Sequence, residues 1–151
     1  MAALREWTFG AQHVSLESSD ILWAKIRGAF LEEEVRQLVG VFHELATGLG
    51  GPFYLVVDLG GSMGPMTSGP PLSVMPRKYL AEHVRPEWFR AIVFFGGKRP
   101  QREVLRALVV ALQFTGRVKL EAEFLETAKE ARAWLESHRE RHLPPPAGAL
   151  P

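Results

Sequence analysis

The chain has 151 residues, of which 46% are hydrophobic and 23% charged, with a formal net charge of +1 and no cysteine. That length predicts one domain with a sizeable core, and near-neutral charge argues against nucleic acid or an anionic membrane surface as the main partner. The absence of cysteine excludes disulfides, thiolate catalysis and cysteine metal sites; with no run suited to a signal peptide or a membrane span, the expectation is a cytoplasmic protein without stable membrane insertion.

Residues 7–28 read as an antiparallel hairpin. His13-Val14-Ser15-Leu16-Glu17 alternates polar and apolar residues, as does much of Ile21-Leu22-Trp23-Ala24-Lys25-Ile26-Arg27, and Ser18-Ser19-Asp20 suits the turn between them. Trp7 and Phe9 either extend the first strand or fold over the sheet. After Gly28 a helix is expected, with Leu31, Val35, Leu38, Val39, Phe42, Leu45 and Ala46 on one face and Glu32, Glu33 and Glu34 at its dipole-favoured start. Gly48 is its expected stop, and His43 lies at the edge of the apolar stripe.

Phe53-Tyr54-Leu55-Val56-Val57 is a continuous apolar run of strand formers, read as a buried strand. It ends at Asp58, before a long loop of glycine, proline, serine, threonine and methionine, and Pro76–Val84 gives a short helix. Ala91-Ile92-Val93-Phe94-Phe95 is a second buried strand of the kind covered on both faces. Gly96-Gly97-Lys98-Arg99 forms the next turn, Pro100 suits a helix start, and Val104, Leu105, Leu108, Ala111 and Leu112 form the buried face of the helix that Gly116 closes. Residues 118–124 alternate as an edge strand with one wet face. Thr127-Ala128-Lys129-Glu130 has capping-box spacing, and the last helix buries Ala128, Ala131, Trp134 and Leu135. The expected fold is therefore α/β: a single domain over residues 1–142, its sheet mixed and mostly parallel with an N-terminal antiparallel hairpin, about four helices, and a flexible proline-rich tail over 143–151.

Buried parallel strands deliver their following loops to one edge of the sheet, and that edge is where open α/β domains bind. The candidate binding residues are accordingly Asp58, Ser62, Met63, Met66, Thr67, Ser68, Ser73 and Arg77 from the central loop, with Lys98 and Arg99 from the next turn. Asp58 is expected to anchor its loop by accepting backbone N–H groups. Gly96-Gly97-Lys98-Arg99-Pro100 opens a helix and offers donors to an anion, or is an ordinary turn with solvated basic residues. Met63, Met66 and Met75 suit an irregular apolar ligand, or fold back over the core. Gly60-Gly61-Ser62-Met63-Gly64 matches G-x-S-x-G, but Pro65, Pro70 and Pro71 follow where a nucleophile elbow needs a helix. His138 and His142 are spaced for zinc on one helix face, without a third ligand, and read as a solvated helix end. No nucleotide-binding motif occurs, and no cofactor, metal or catalytic set is expected.

The element order, together with residues 21–28, Leu55-Val56-Val57-Asp58-Leu59, Arg77 and residues 127–135, resembles the STAS fold of bacterial anti-sigma-factor antagonists. The SpoIIAA-like group, whose fold is also likened to CRAL-TRIO lipid-binding domains, is the nearer likeness, and it covers roughly residues 10–138. Those antagonists carry a D-S-S-G motif whose second serine a partner kinase phosphorylates. Counting on from Asp58-Leu59 places Met66-Thr67-Ser68-Gly69 there, so Ser68 takes the place of that serine, while Met66 replaces the acid and Pro70-Pro71 follow. The resemblance implies a non-enzymatic regulatory module that engages a protein partner, such as an anti-sigma-factor-like kinase, through residues 60–76 and the short helix. The second reading is a carrier or sensor of an apolar or lipid-like molecule, and the third a serine hydrolase using Ser62.

Overall fold

The computed structural model describes residues 5–10, 12–18, 20–26, 31–60, 74–97, 99–115 and 120–142. Its strands are β1 (Arg5–Phe9), β2 (Gln12–Glu17), β3 (Ile21–Lys25), β4 (Phe53–Asp58), β5 (Phe89–Phe95) and β6 (Ala122–Leu125). Its helices are α1 (Glu32–Leu49), α2 (Val74–His83), α3 (Arg99–Thr115) and α4 (Ala128–His142), with a 3₁₀ turn at Pro86–Trp88. The strands lie in one six-stranded sheet in chain order. β1, β2 and β3 are antiparallel neighbours, and β3 to β6 are parallel.

The N-terminal hairpin is thus the second half of a three-stranded meander. Trp7 and Phe9 belong to a strand of their own, pairing with Val14 and Gln12. Gly10, at φ +60°, makes the turn that separates β1 from β2. From sequence, Trp7 and Phe9 either extend the first strand or fold over the sheet; the apolar positions change phase across Gly10, from Trp7 and Phe9 to Val14 and Leu16, as a reversal of the chain there requires.

Parallel neighbours joined in sequence need crossover helices, and right-handed crossovers in a sheet of sequential order put those helices on one face. The core divides accordingly. Leu22, Ala24, Leu55, Val57, Ile92 and Phe94 pack with α1, α2 and α3, whereas Trp23, Tyr54, Val56, Ala91, Val93 and Phe95 pack with Ala131 and Leu135 of α4. This is the period-two alternation of a strand, filled on both sides. It explains why β4 is buried at all six positions and β5 at every position but Arg90. β6 is one edge strand of the sheet, half-buried along its length, and β1 is the other.

Helix α1 runs through Gly48 and stops at Gly50, whose φ of 69° gives the left-handed cap, its N–H donating to Thr47 at 3.3 Å. Gly48, the stop expected from the sequence, lies inside the helix, and the left-handed residue comes two positions later. At the other end, Glu34 accepts from the Leu31 N–H at 3.1 Å and from Gln12 Nε2 at 3.3 Å. Glu34 is buried, so these donors replace the water its carboxylate loses. α4 begins with the expected capping box: the Glu130 N–H donates to Thr127 Oγ1 at 3.1 Å, and the Thr127 N–H to Glu130 Oε1 at 3.2 Å.

Gly10 ties the meander to that buried carboxylate, since a Cβ there would run into Glu34 Oε2 and would also sit at a positive φ. Gly10→Ala is expected to lower unfolding stability by about 1–3 kcal/mol. A chemical-denaturation midpoint equal to the parent's would contradict the close approach.

Candidate functional site

The C-terminal ends of β4, β5 and β6 form one rim, held together by backbone bonds that continue past the strands. The Leu59 N–H donates to Phe95 O at 3.0 Å, the Gly97 N–H to Gly60 O at 2.8 Å, and the Gly96 N–H to Leu125 O at 3.3 Å. Gly60, Gly96 and Gly97 all have positive φ, near 75°. A Cβ on Gly96 would stand 3.2 Å from the Gly60 backbone, so the two turns touch. The turns after β4 and β5 therefore emerge on the same edge, as parallel pairing requires.

Asp58 closes β4 into this rim. It is buried, and its Oδ1 accepts from the Gly60 N–H at 2.9 Å, a local turn of the kind aspartate favours. The carboxylate is thus directed at its own chain. Arg102, which the sequence reading did not single out, is the second staple. Its Nε donates to Gly96 O at 3.0 Å and its Nη2 to Leu125 O at 3.1 Å, while Nη1 and Nη2 hold both Glu126 oxygens at 3.1 Å. This fork uses the planar geometry that lysine lacks. Hydrogen bonding from Arg102, reinforced by its charge, holds the Glu126 carboxyl below its ordinary pKa. Arg102 was missed because a guanidinium on the exposed-looking side of an amphipathic helix carries no sequence sign that it reaches neighbouring carbonyls.

An open cleft of about 560 Å³ lies against this rim, lined by Gly97, Arg99, Arg102, Glu103, Arg106 and Glu126. Arg99 is almost fully exposed and approaches Glu103 at 3.6 Å. The Arg106 guanidinium lies over the Phe124 ring at 4.4 Å. The N–H groups of Gly96 and Gly97 already donate to strand and turn carbonyls, so these two are not available to an anion. Lys98, Ser62, Met63, Met66, Thr67, Ser68 and Ser73 lie outside the described residues, and Arg77 is placed only by the backbone of α2. Of the candidate set, the structure brings Asp58 and Arg99 to the rim.

A second space lies beneath α2, between the sheet and α1–α3. It measures about 80 Å³, and every described residue around it is aliphatic or aromatic.

On the opposite face, α4 carries a buried polar cluster. His138 is only 3% exposed. Its Nε2 lies 3.2 Å from Glu121 Oε2 and its Nδ1 2.9 Å from the Tyr54 hydroxyl, so the imidazole bridges the two side chains. Trp134 stacks on the imidazole at 5.0 Å between centroids. The reading of His138 as part of a solvated helix end is overturned. It follows Ala131 by seven residues and Leu135 by three, so it shares their buried stripe, and that spacing was a signal in the sequence. Burial pushes the Tyr54 phenol above its ordinary pKa, against the smaller opposing effect of Arg90 and Arg139. Among the described residues, no group of three or more histidine, aspartate or glutamate side chains is placed to hold a metal ion. No described helix is long and apolar enough to cross a membrane.

No protein-family model, curated protein or solved structure matches the chain.

Asp58→Ala removes the acceptor for Gly60 and is expected to cost about 1.5–3 kcal/mol, read as a lower melting temperature; an unchanged melting temperature would remove the anchoring role. Tyr54 gives a pH test. A raised folded pKa means its contribution is intact below the unfolded value of about 10 and is lost as pH rises through the folded value. Stability of the parent should fall more steeply above about pH 10 than that of Tyr54→Phe. Parallel stability curves for the two proteins in that range would contradict the buried phenol.

Proposed function

We propose that the chain is a non-enzymatic regulatory module that engages a protein partner at the C-terminal rim of its parallel strands. The contact would include the 60–76 segment, which leaves β4 at this rim, and the short helix α2. The observation that carries the reading is the locking of three strand ends by backbone bonds and by Arg102, beside an open cleft lined by charged side chains. A preformed polar edge of this kind suits a complementary charged surface, because its geometry is set before binding and little ordering remains to oppose association. The described lining sets Arg99, Arg102 and Arg106 against Glu103 and Glu126, and this excess of positive charge favours an acidic segment of the partner. The described ionisable side chains lining the cleft are arginines and glutamates, which suit ionic recognition of a partner.

On the resemblance to anti-sigma-factor antagonists, Ser68 is the residue that a partner kinase would phosphorylate. Phosphate there brings about two negative charges to a segment that begins at this rim, and partner affinity would change without catalysis by this chain.

The test is affinity capture from a lysate of the protein's own source, comparing the parent with Arg99→Glu/Arg106→Glu. A partner recovered by the parent should be reduced about fivefold or more by the double reversal and released by salt, as expected for rim charges. Undiminished recovery would overturn the rim reading. Identical partner sets for the parent, Ser68→Ala and Ser68→Asp would remove the switch and leave the rim in place.

A further inference from the structure

We propose that the void between the sheet and helices α1–α3 is a binding site for a small apolar molecule: a single aromatic ring or a short, compact hydrocarbon. Its floor is the inner face of the two central strands, with Leu55 of β4 and Ile92 of β5, and α1, α2 and α3 supply walls such as Phe42, Leu80 and Leu112. Protein interiors are close-packed and hold few voids larger than a water molecule. This one, at about 80 Å³, is several times the ~10–15 Å³ that a single water requires.

Water is a poor occupant. An ordered water needs two to four polar partners, and the described lining supplies only aliphatic and aromatic side chains. The space opens partly to the surface, and its apolar walls lack the dispersion contacts that an apolar guest restores. Size limits the guest to roughly five to eight heavy atoms, taking the volume that holds one water as the unit. That excludes an entire lipid or extended acyl chain and narrows the ligand class. The least buried of the lining side chains are Leu108 and Val109 of α3, which places the approach beside that helix. The site is separate from the charged cleft, which shares no lining residue with it, so it stands or falls independently of the partner reading.

The experiment is a benzene titration of the intact protein followed by methyl NMR. Saturable shifts are expected at the methyls of Leu55, Leu105 and Leu112, with a melting temperature that rises as benzene is added. Val109→Phe, which places a ring at the void's more exposed side, should weaken binding about tenfold or more. Should that variant not fold, Leu112→Ala provides the second measurement. It enlarges the void and should tighten benzene binding or admit toluene, which the parent takes less well. Decanoic acid is expected to leave the same methyls unmoved. Absence of saturable benzene shifts, equal affinity in folded Val109→Phe, benzene and toluene binding unaltered by Leu112→Ala, or saturable decanoic acid binding at these methyls would each overturn the proposal.

Discussion

The pairing of β4 with β5 leaves neither strand a wet face, because Leu55, Val57, Ile92 and Phe94 point to one side and Tyr54, Val56, Val93 and Phe95 to the other. Each large apolar side chain in this pair is worth about 1.5–3 kcal/mol when removed from water, so leaving either side uncovered would forfeit much of the fold's stability. The rest of the architecture answers that constraint. Three crossover helices cover one side as a by-product of making the strands parallel. The other side receives nothing from the crossovers and, among the described elements, takes its helical cover from α4.

The two covers are built differently. α1 and α3 bring long apolar stripes, and their layer meets the sheet with an unfilled space at its centre. α4 brings only Ala131 and Leu135 as fully buried apolar residues and supplements them with polar and cationic attachments. Arg132 holds Glu17 at 3.0 Å and lies over Trp23, Arg139 bonds Asp20 and lies over Tyr54, and His138 joins Tyr54 to Glu121. Cation–aromatic contacts of this kind contribute about 0.5–1 kcal/mol when exposed and more when desolvated. Together they fix the position and angle of a helix whose own apolar face is narrow, a task for which directional contacts serve better than additional hydrophobic area.

Much of this was legible in the sequence because it depends on periodicity. The continuous runs at 53–57 and 91–95 announced strands buried on both faces, the heptad-like spacing from Val35 to Leu45 announced α1, and Thr127 with Glu130 announced the start of α4. The rim was legible in outline, since parallel strands put their exits together, and Asp58 was recognised as its anchor. What escaped was pairwise and long-range. Nothing near Arg102 in the chain says that it will reach Gly96, Leu125 and Glu126. Nothing local says that His138 will find Tyr54, 84 residues away. The third antiparallel strand was only half legible: Trp7 and Phe9 stood out as strand-like, but the turn at Gly10, between them and Val14, that makes them a strand of their own did not.

The attachments of α4 also bear on the order in which the chain becomes compact. Its partners Glu17, Asp20 and Tyr54 are separated from it by 115, 119 and 84 residues, while α1 and α3 cover strands adjacent to them in the chain. During synthesis the meander, α1 and the central strands can assemble as they emerge, but Trp23, Tyr54, Val56 and Val93 await a helix made much later. The half-assembled sheet presents an apolar surface to the cell throughout that interval, the circumstance in which nascent chains call on chaperones or associate with one another. Closure of α4 is therefore a high-contact-order step that must wait for the C-terminal helix to leave the ribosome.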